Sequence, residues 1–123
     1  MIEYIDGAGP GVVRGRTTCR ETSDFSYLRN ARYQYSPYLL EALLQLVGFY
    51  IAATDPSERR SMIPLDIGEM RFLRKCRTGE QITLEARMRV QDKESLAWDA
   101  RGLDDQGHAI MQIHNLRMHW VLD

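Results

Sequence analysis

The chain has 123 residues, with 16 lysines and arginines against 17 aspartates and glutamates. This balance gives no charge bias toward nucleic acid or an anionic membrane surface, and the length is that of one domain, residues 1–123. The two cysteines, Cys19 and Cys76, are expected to form no disulfide framework, and the first residues lack the basic and apolar segments of a secretory signal. We therefore expect a protein of the reducing cytoplasm.

The first elements of the chain are predicted from its small and β-branched residues. A loop of small residues at 7–11 precedes a strand predicted over residues 12–20. Residues 21–36 are predicted to be irregular, with Asp24, Asn30 and Ser36 as turn or cap residues.

The most apolar segment is predicted to be a helix that begins at Pro37 and ends near Thr54. Ser36 before Pro37 matches a helix N-cap followed by a proline at the first helical position, and Asp55-Pro56 cannot continue the helix. Apolar residues occupy all of its sides, so we expect protein to surround it. The helix is too short to cross a bilayer of about 30 Å, so no membrane partner is expected.

One polar stripe interrupts this helix. Glu41 is its only charged residue. At about 100° per residue, Gln45 lies roughly 40° and Gly48 roughly 20° from Glu41 around the helix axis. An ionised carboxylate buried without a partner costs several kcal/mol. A glutamate in such a helix is therefore expected to do chemistry or to anchor a buried polar network.

The second half of the chain is predicted to form four strands, after a basic connection around Arg59 and Arg60. Residues 81–90 alternate between apolar and polar side chains, as in a strand with one buried face. In the last strand the apolar positions change from odd to even numbers, which predicts a bulge near His114 or Asn115. The predicted strands are 70–75, 81–90, 96–103 and 109–121, with turns at 78–79 and 104–107.

One strand, a long loop, one apolar helix and four strands make an α+β pattern, with an antiparallel sheet wrapped around a single helix. The helix from Glu41 to Gly48 resembles the E-A-x-x-Q-x-x-G helix of hotdog-fold β-hydroxyacyl-ACP dehydratases, and its continuation to Tyr50 is similar to their fatty-acid dehydratase/isomerase branch. Residues 70–82 are similar to the R-F-x-x-x-V-x-P-G-D-x-L segment of this superfamily, and residues 36–41 resemble the H-P-x-L-L-D-A helix start of polyketide synthase dehydratase domains. The resemblance covers roughly residues 25–90. It implies a hotdog fold and action on 3-hydroxyacyl thioesters in fatty acid or polyketide metabolism.

The resemblance assigns roles to individual residues. Glu41 stands at the position of the catalytic carboxylate, and Gln45 at that of the residue that hydrogen-bonds and orients it. Ser36 stands where the family has a glycine whose backbone N–H polarises the thioester carbonyl. Gly48 and Tyr35 are our further substrate-binding candidates. The resemblance implies neither a cofactor nor a metal ion.

One part of the family pattern is missing. These dehydratases pair the carboxylate with a histidine from another hotdog unit, and in the polyketide domains that histidine ends a stretch like F-L-R-D-H. Here the similar stretch 27–31 ends in Ala31, and no histidine lies between Met1 and Gly107. Loss of a positioned acid or base typically costs a factor of about 10² to 10⁴ in rate. We therefore expect either a subunit that supplies the histidine or a relative that does not dehydrate its substrate.

Three functions remain open on the sequence. The first is a dehydratase completed by another subunit, the second a thioesterase in which Glu41 acts as nucleophile or base, and the third a catalytically silent acyl-binding or scaffolding subunit. In each, the ligand is an acyl-ACP or acyl-CoA thioester. The expected assembly is a homodimer, or a heterodimer with a second hotdog unit, with the pocket between subunits.

Other roles are open for single residues. Glu41 could form a structural salt bridge with one of the many arginines. His114 and His119 are five residues apart, which places them on opposite faces of a regular strand. No metal site is therefore predicted from them.

Overall fold

The computed structural model describes residues 2–20, 37–54, 61–91 and 94–121. These ranges contain one helix and six strands, and all strand pairings are antiparallel. In chain order the elements are β1 (Ile2–Gly9), β2 (Val12–Thr18), α1 (Pro37–Thr54), β3 (Ser61–Phe72), β4 (Gln81–Gln91), β5 (Ser95–Leu103) and β6 (Ala109–Val121). The predicted irregular segment 21–36, with Asp24, Asn30 and Ser36, and the connection around Arg59 and Arg60 lie outside the described residues.

The six strands form one sheet in the order β1-β2-β4-β5-β6-β3, and α1 packs against one face of it, in contact with β1, β2 and β4. The core lies between the helix and the sheet, because each strand turns alternate side chains toward the helix. The side chains buried there are mostly aliphatic, with Trp98 the largest; those with at most 1% exposure include Val13, Leu39, Leu43, Leu46, Val47, Ile82, Leu84, Trp98, Met111 and Leu116. This is the arrangement of one helix and a wrapping antiparallel sheet that the sequence predicts.

One strand was not predicted, and another is longer than predicted. β1 (Ile2–Gly9) lies before the first predicted strand, so residues 7–9 belong to a strand rather than to the expected loop, and only Pro10 and Gly11 connect it to β2. Gly11 has a φ of 72°, a conformation that favours glycine at a tight turn. β3 begins at Ser61 and ends at Phe72, so it extends well before the predicted start, and residues 73–75 lie outside it. Both segments contain glycine, and β3 also contains Pro64, so pairing with a neighbour overrides weak local propensity.

The remaining elements follow the predictions closely, except that β2 ends at Thr18, two residues before the predicted end at residue 20. The helix has the predicted bounds, β6 has the predicted bounds, and β4 and β5 each differ from the predicted strand by one residue at one end. The turns at 78–79 and 104–107 are present, with Gly79 and Gly107 at φ values of 86° and 83°. Glycine is expected at both because a side chain disfavours positive φ.

The predicted bulge in β6 is confirmed. Trp98 pairs with Leu116 and Ala100 with Ile113, so His114 and Asn115 together face Asp99, and Asn115 has a φ of 60°. The bulge corrects one consequence drawn from the sequence. Because it adds a residue, both His114 and His119 alternate with buried neighbours and lie on the sheet face away from α1, not on opposite faces.

The connection between β3 and β4 is fixed by ion pairs and by a disulfide. Arg74 donates hydrogen bonds to both carboxylate oxygens of Glu80 and one to Asp104, which joins this connection to the β5–β6 turn. Cys19 and Cys76 are disulfide-bonded, with Cα atoms 6.1 Å apart. The expectation that these two cysteines form no disulfide framework is therefore wrong, because antiparallel pairing brings the end of β2 next to this connection. No helix in the described ranges is long and apolar enough to cross a membrane.

Candidate active site

The polar stripe predicted on α1 is present, and it lies on the side of the helix away from the sheet. Glu41, Gln45 and Gly48 are all exposed in the single chain, as is Phe49 at 47%. The opposite side of α1 is buried in the core; its buried residues are Tyr38, Leu39, Ala42, Leu43, Leu46, Val47 and Tyr50. The helix therefore turns one face to the core and the E-x-x-x-Q-x-x-G stripe outward.

This geometry corrects the expectation that protein surrounds the helix. One sheet covers one side of a helix, so the other side of α1, though largely apolar, is left uncovered by the residues that the structure describes. An apolar face rimmed by polar groups marks a binding surface for a ligand or a second subunit. The sequence correctly identified an apolar helix but could not show which of its sides the sheet covers.

Two tyrosines on the buried side fix the rotation of the helix. Near its start, the Thr17 hydroxyl donates a hydrogen bond to the Tyr38 hydroxyl oxygen at 3.1 Å. Near its end, the backbone N–H of Gly11 donates to the Tyr50 hydroxyl oxygen at 2.7 Å, and the Tyr50 ring meets Trp98 edge-on with ring centroids 5.4 Å apart. These contacts join both ends of α1 to β2 or to the β1–β2 turn. The outward direction of Glu41 follows from them.

The two tyrosines have roles that the sequence reading did not assign to them. Their spacing in the sequence could have predicted that both lie on the buried side. Positions 38 and 50 are twelve residues apart, so they lie within roughly 120° of each other around an α-helix. A tyrosine on the buried face of a helix also needs a partner for its hydroxyl. That pairing depends on β2 and the β1–β2 turn, which are distant in sequence.

Glu41 has no ion-pair or hydrogen-bond partner among the described residues. A structural salt bridge to an arginine of the described ranges is therefore absent. Gln45 does have an interaction, so it is not free. A carboxylate that holds no structural partner among the described residues is available to bind or to react.

Gly48 is unusual because none of the described residues requires a glycine there. A Cβ added at this position would meet no atom within 4 Å. Glycine inside a helix costs about 0.5–1 kcal/mol relative to alanine. Packing within the described residues therefore gives no reason for this glycine, which leaves the helix backbone open to close approach at the stripe.

The remaining predicted site residues are not all brought to this stripe. Ser36, Tyr35 and the stretch 27–31 lie outside the described residues. All three histidines of the chain, 108, 114 and 119, are on β6 or the turn before it. His114 and His119 face away from α1, and His108 lies at the turn beside Asp104. No histidine of this chain therefore accompanies Glu41 within the described ranges.

The outer face of the sheet carries charged side chains of both signs, several of them in ion pairs, and His114 lies 3.0 Å from Asp99 there. One groove on this face, of about 370 Å³, is lined by both signs of charge, including Arg14, Glu85 and Arg101. Glu85 is held between the two arginines, at 2.9 Å from Arg14 and 3.1 Å from Arg101, so these charges compensate one another. The described residues contain no group of three or more side chains suited to bind a metal ion.

Comparison with protein families gives a match over nearly the whole chain. The family model described as the polyketide synthase dehydratase N-terminal domain matches residues 1–122. No curated protein matches the chain in sequence.

Solved structures with a similar fold include bacterial thioesterase-type proteins. A hypothetical thioesterase from Streptococcus pneumoniae, solved with coenzyme A, is 15% identical with a TM-score of 0.70, over 98% of this chain and 86% of that one. A Streptococcus mutans protein bound to acetyl-CoA is 12% identical with a TM-score of 0.70, over 97% and 88%. The Escherichia coli PaaI protein of the phenylacetic acid degradation operon is 18% identical with a TM-score of 0.63, over 96% and 78%. At these identities the likeness establishes the fold, and this chain has the hotdog fold.

Proposed function

This chain belongs to the family of polyketide synthase dehydratase N-terminal domains, and we propose that it acts on acyl thioesters of a carrier protein or coenzyme A as one half of a dehydratase. The observation that carries the proposal is the exposed stripe of α1. It presents the only charged residue of the helix, Glu41, beside Gln45 and Gly48, on a face that no other part of the described chain covers.

The proposed reaction removes water from a 3-hydroxyacyl thioester. A histidine from another subunit takes the α-proton, and the electron pair moves to the thioester carbonyl as an enolate. Glu41, in its protonated form, gives a proton to the β-hydroxyl, which leaves as water while the carbon–carbon double bond forms. Gln45, one turn further along the helix, orients the Glu41 carboxyl group. The products are a 2-enoyl thioester and water.

The start of α1 supplies the proposed site for the enolate oxygen. A helix N-terminus has unpaired backbone N–H groups and the positive end of the helix dipole. The first turn of α1 contains no acidic residue that would neutralise this end. We assign the thioester carbonyl to this position, next to Ser36 and Tyr35, where developing negative charge is stabilised most.

A thioesterase is the second candidate, and two observations favour it. No histidine of this chain accompanies Glu41 within the described ranges. Solved structures of the same fold include a hypothetical thioesterase with coenzyme A. In this reaction Glu41 takes a proton from water, the water oxygen attacks the thioester carbonyl, and the thiol leaves with a free carboxylic acid as the second product.

One experiment separates the two reactions. The purified chain is incubated with 3-hydroxybutyryl-CoA and with butyryl-CoA, and both enoyl-thioester absorbance and free thiol are followed. The dehydratase proposal predicts little enoyl product from the chain alone, and strong product once a hotdog protein that carries the missing histidine is added. Glu41→Gln should abolish this product, whereas Asp105→Asn, an exposed turn carboxylate, should not change it.

Every other result of this assay leads to a definite conclusion about the reaction. Release of free thiol that depends on Glu41 would replace the dehydratase by the thioesterase. Strong enoyl product from the chain alone would mean that a group of this chain replaces the histidine. Absence of both products together with no calorimetric binding of either thioester, alone or with the partner, would overturn the proposal. Whether a second hotdog protein copurifies with this one tells which partner to add.

A further inference from the structure

The two cysteines are brought together by the backbone around them, not only by the bond between them. The Cys19 N–H donates to the Glu80 carbonyl at 2.8 Å, and the Gly79 N–H donates to the Cys19 carbonyl at 2.9 Å. Arg74 bridges Glu80 and Asp104, which holds the same connection against the β5–β6 turn. With this frame in place, the Cα separation of 6.1 Å suits a disulfide. Because these backbone hydrogen bonds do not require the bond between the sulfurs, we expect the thiols to stay adjacent when that bond is open.

The two cysteine residues differ in their exposure to solvent. Cys19 is buried, at 2% exposure, whereas Cys76 is only partly buried. Cys76 stands between the exposed residues Lys75 and Arg77. Nearby cations stabilise a thiolate, the species that attacks disulfides and that leaves when a disulfide is broken. An external thiol therefore meets the pair at Cys76.

We propose that Cys19 and Cys76 form a reversible redox modification site, opened and closed by exchange with small thiols and disulfides of the glutathione class. In closure, the Cys76 thiolate attacks the external disulfide and releases one thiol. The Cys19 thiol then loses its proton and attacks the mixed disulfide at Cys76, which releases the second thiol. Two protein electrons thus reduce one external disulfide to two thiols, and opening is the reverse. This inference is independent of the function proposed for Glu41.

The positions of Cys19 and Cys76 in the chain determine how disulfide formation affects stability. The bridge spans 57 residues, and the segment between the cysteines contains both α1 and β3. It therefore ties together the two ends of the part of the chain that carries the polar stripe and one edge of the sheet. A crosslink across a loop of this length mainly restricts the unfolded chain, so the closed form should be the more stable one.

The test compares oxidised and reduced protein. The wild-type chain is equilibrated with oxidised glutathione or with a thiol-free reducing agent, and its intact mass, maleimide labelling and thermal unfolding are measured. The oxidised chain should weigh two hydrogens less, resist labelling, and unfold on the order of 10 °C higher than the reduced chain. Cys76→Ser should unfold at the midpoint of the reduced wild type and not respond to oxidation.

The wild-type comparison stands by itself if Cys76→Ser does not fold. Two thiols that remain free for labelling after equilibration with oxidised glutathione would overturn the proposal. So would equal unfolding midpoints of the two forms, or a disulfide-linked dimer on a gel run without reductant. A bond that forms but does not reopen in native protein under excess reduced glutathione would show a permanent bridge and would also overturn it.

Discussion

At the level of single residues, Glu41 is the only charged residue of its helix, and its side chain is exposed in the single chain. It makes no ion pair in the described ranges. Removing its charge therefore leaves no buried positive charge unpaired in those ranges.

We predict that Glu41→Gln keeps the stability of the isolated chain within about 0.5 kcal/mol, as for other exposed substitutions, while any thioester activity disappears. Chemical denaturation and the product assay measure the two effects. A loss of roughly 3–5 kcal/mol would instead indicate half of a buried ion pair and would count against a catalytic role. Asp105→Asn serves as the matched exposed carboxylate.

Gly48 gives a second prediction at this scale. Since a Cβ there meets nothing within 4 Å, Gly48→Ala should stabilise the isolated chain by about 0.5–1 kcal/mol through helix propensity. The same methyl group should weaken binding of the partner or of the thioester by obstructing close approach. Ala53→Gly, exposed on the same helix but off the stripe, should show the opposite stability change and no binding defect. Unchanged binding by Gly48→Ala would remove the argument drawn from this glycine.

At the scale of elements, the helix is held to the sheet by hydroxyl groups at both ends as well as by apolar packing. Tyr50→Phe keeps the ring against Trp98 but removes the acceptor for the Gly11 N–H. An unsatisfied, partly buried donor costs about 1–2 kcal/mol, so the free energy of unfolding should fall by that amount. Tyr38→Phe should cost less, because the Thr17 hydroxyl can rotate toward another acceptor. Equal stability of Tyr50→Phe and wild type would mean that water replaces the tyrosine.

Across the sheet, Glu85 of β4 is held by one arginine from each neighbouring strand. Burial by itself raises the pKa of Glu85, but the hydrogen bonds and charges of Arg14 and Arg101 outweigh it and hold the pKa below its usual value. The hydrogen bond from Arg74 likewise lowers the pKa of Glu80. A carboxyl group with a lower pKa in the folded chain binds fewer protons there, so it stabilises the fold above its unfolded pKa.

Stability should therefore be level above the ordinary glutamate pKa of about 4.3 and fall as the pH drops through the lower folded values. Glu85→Gln should make this decrease in stability at acid pH smaller. It should also lower the free energy of unfolding at neutral pH by about 1 kcal/mol, a modest figure because both arginines are half exposed. Glu69→Gln, which removes an exposed ion pair with Arg71, should leave the decrease in stability at acid pH unchanged. Unfolding midpoints measured between neutral and acid pH test both variants.

At the level of the entire fold, the described residues leave two kinds of surface uncovered. The sheet ends in β1 and β3, whose outer edges carry backbone groups that no described strand pairs. The polar stripe of α1 is also uncovered. A dimer with side-by-side sheets covers an edge and encloses the stripe between subunits.

We predict that the chain sediments as a dimer at micromolar concentration, alone or with a second hotdog protein. The expected interface includes the exposed Phe49 next to the stripe, so Phe49→Ser should shift the equilibrium toward monomer without unfolding the chain. A monomer at micromolar concentration, with no hotdog partner copurifying, would remove the basis for a pocket between subunits.

Much of the fold was predictable because its signals are local. The bounds of α1 follow from a proline at its start and Asp55-Pro56 after its end, and the bulge at His114 and Asn115 follows from a change of apolar parity. The polar stripe follows from helical periodicity alone. β1 and the first half of β3 were missed, since glycine and proline weaken their local pattern and only pairing with distant strands makes them strands.

The members of the polar stripe could be grouped from the sequence alone, because the pitch of a helix sets which residues are neighbours on one side of it. The tertiary structure sets which way the stripe faces, because that direction depends on the hydrogen bonds of Tyr38 and Tyr50 to partners on or beside β2. It also decided that Cys19 meets Cys76 and that the histidines lie away from Glu41. These contacts join residues far apart in the chain, and no local pattern encodes the geometry of strand pairing that brings them together or keeps them apart.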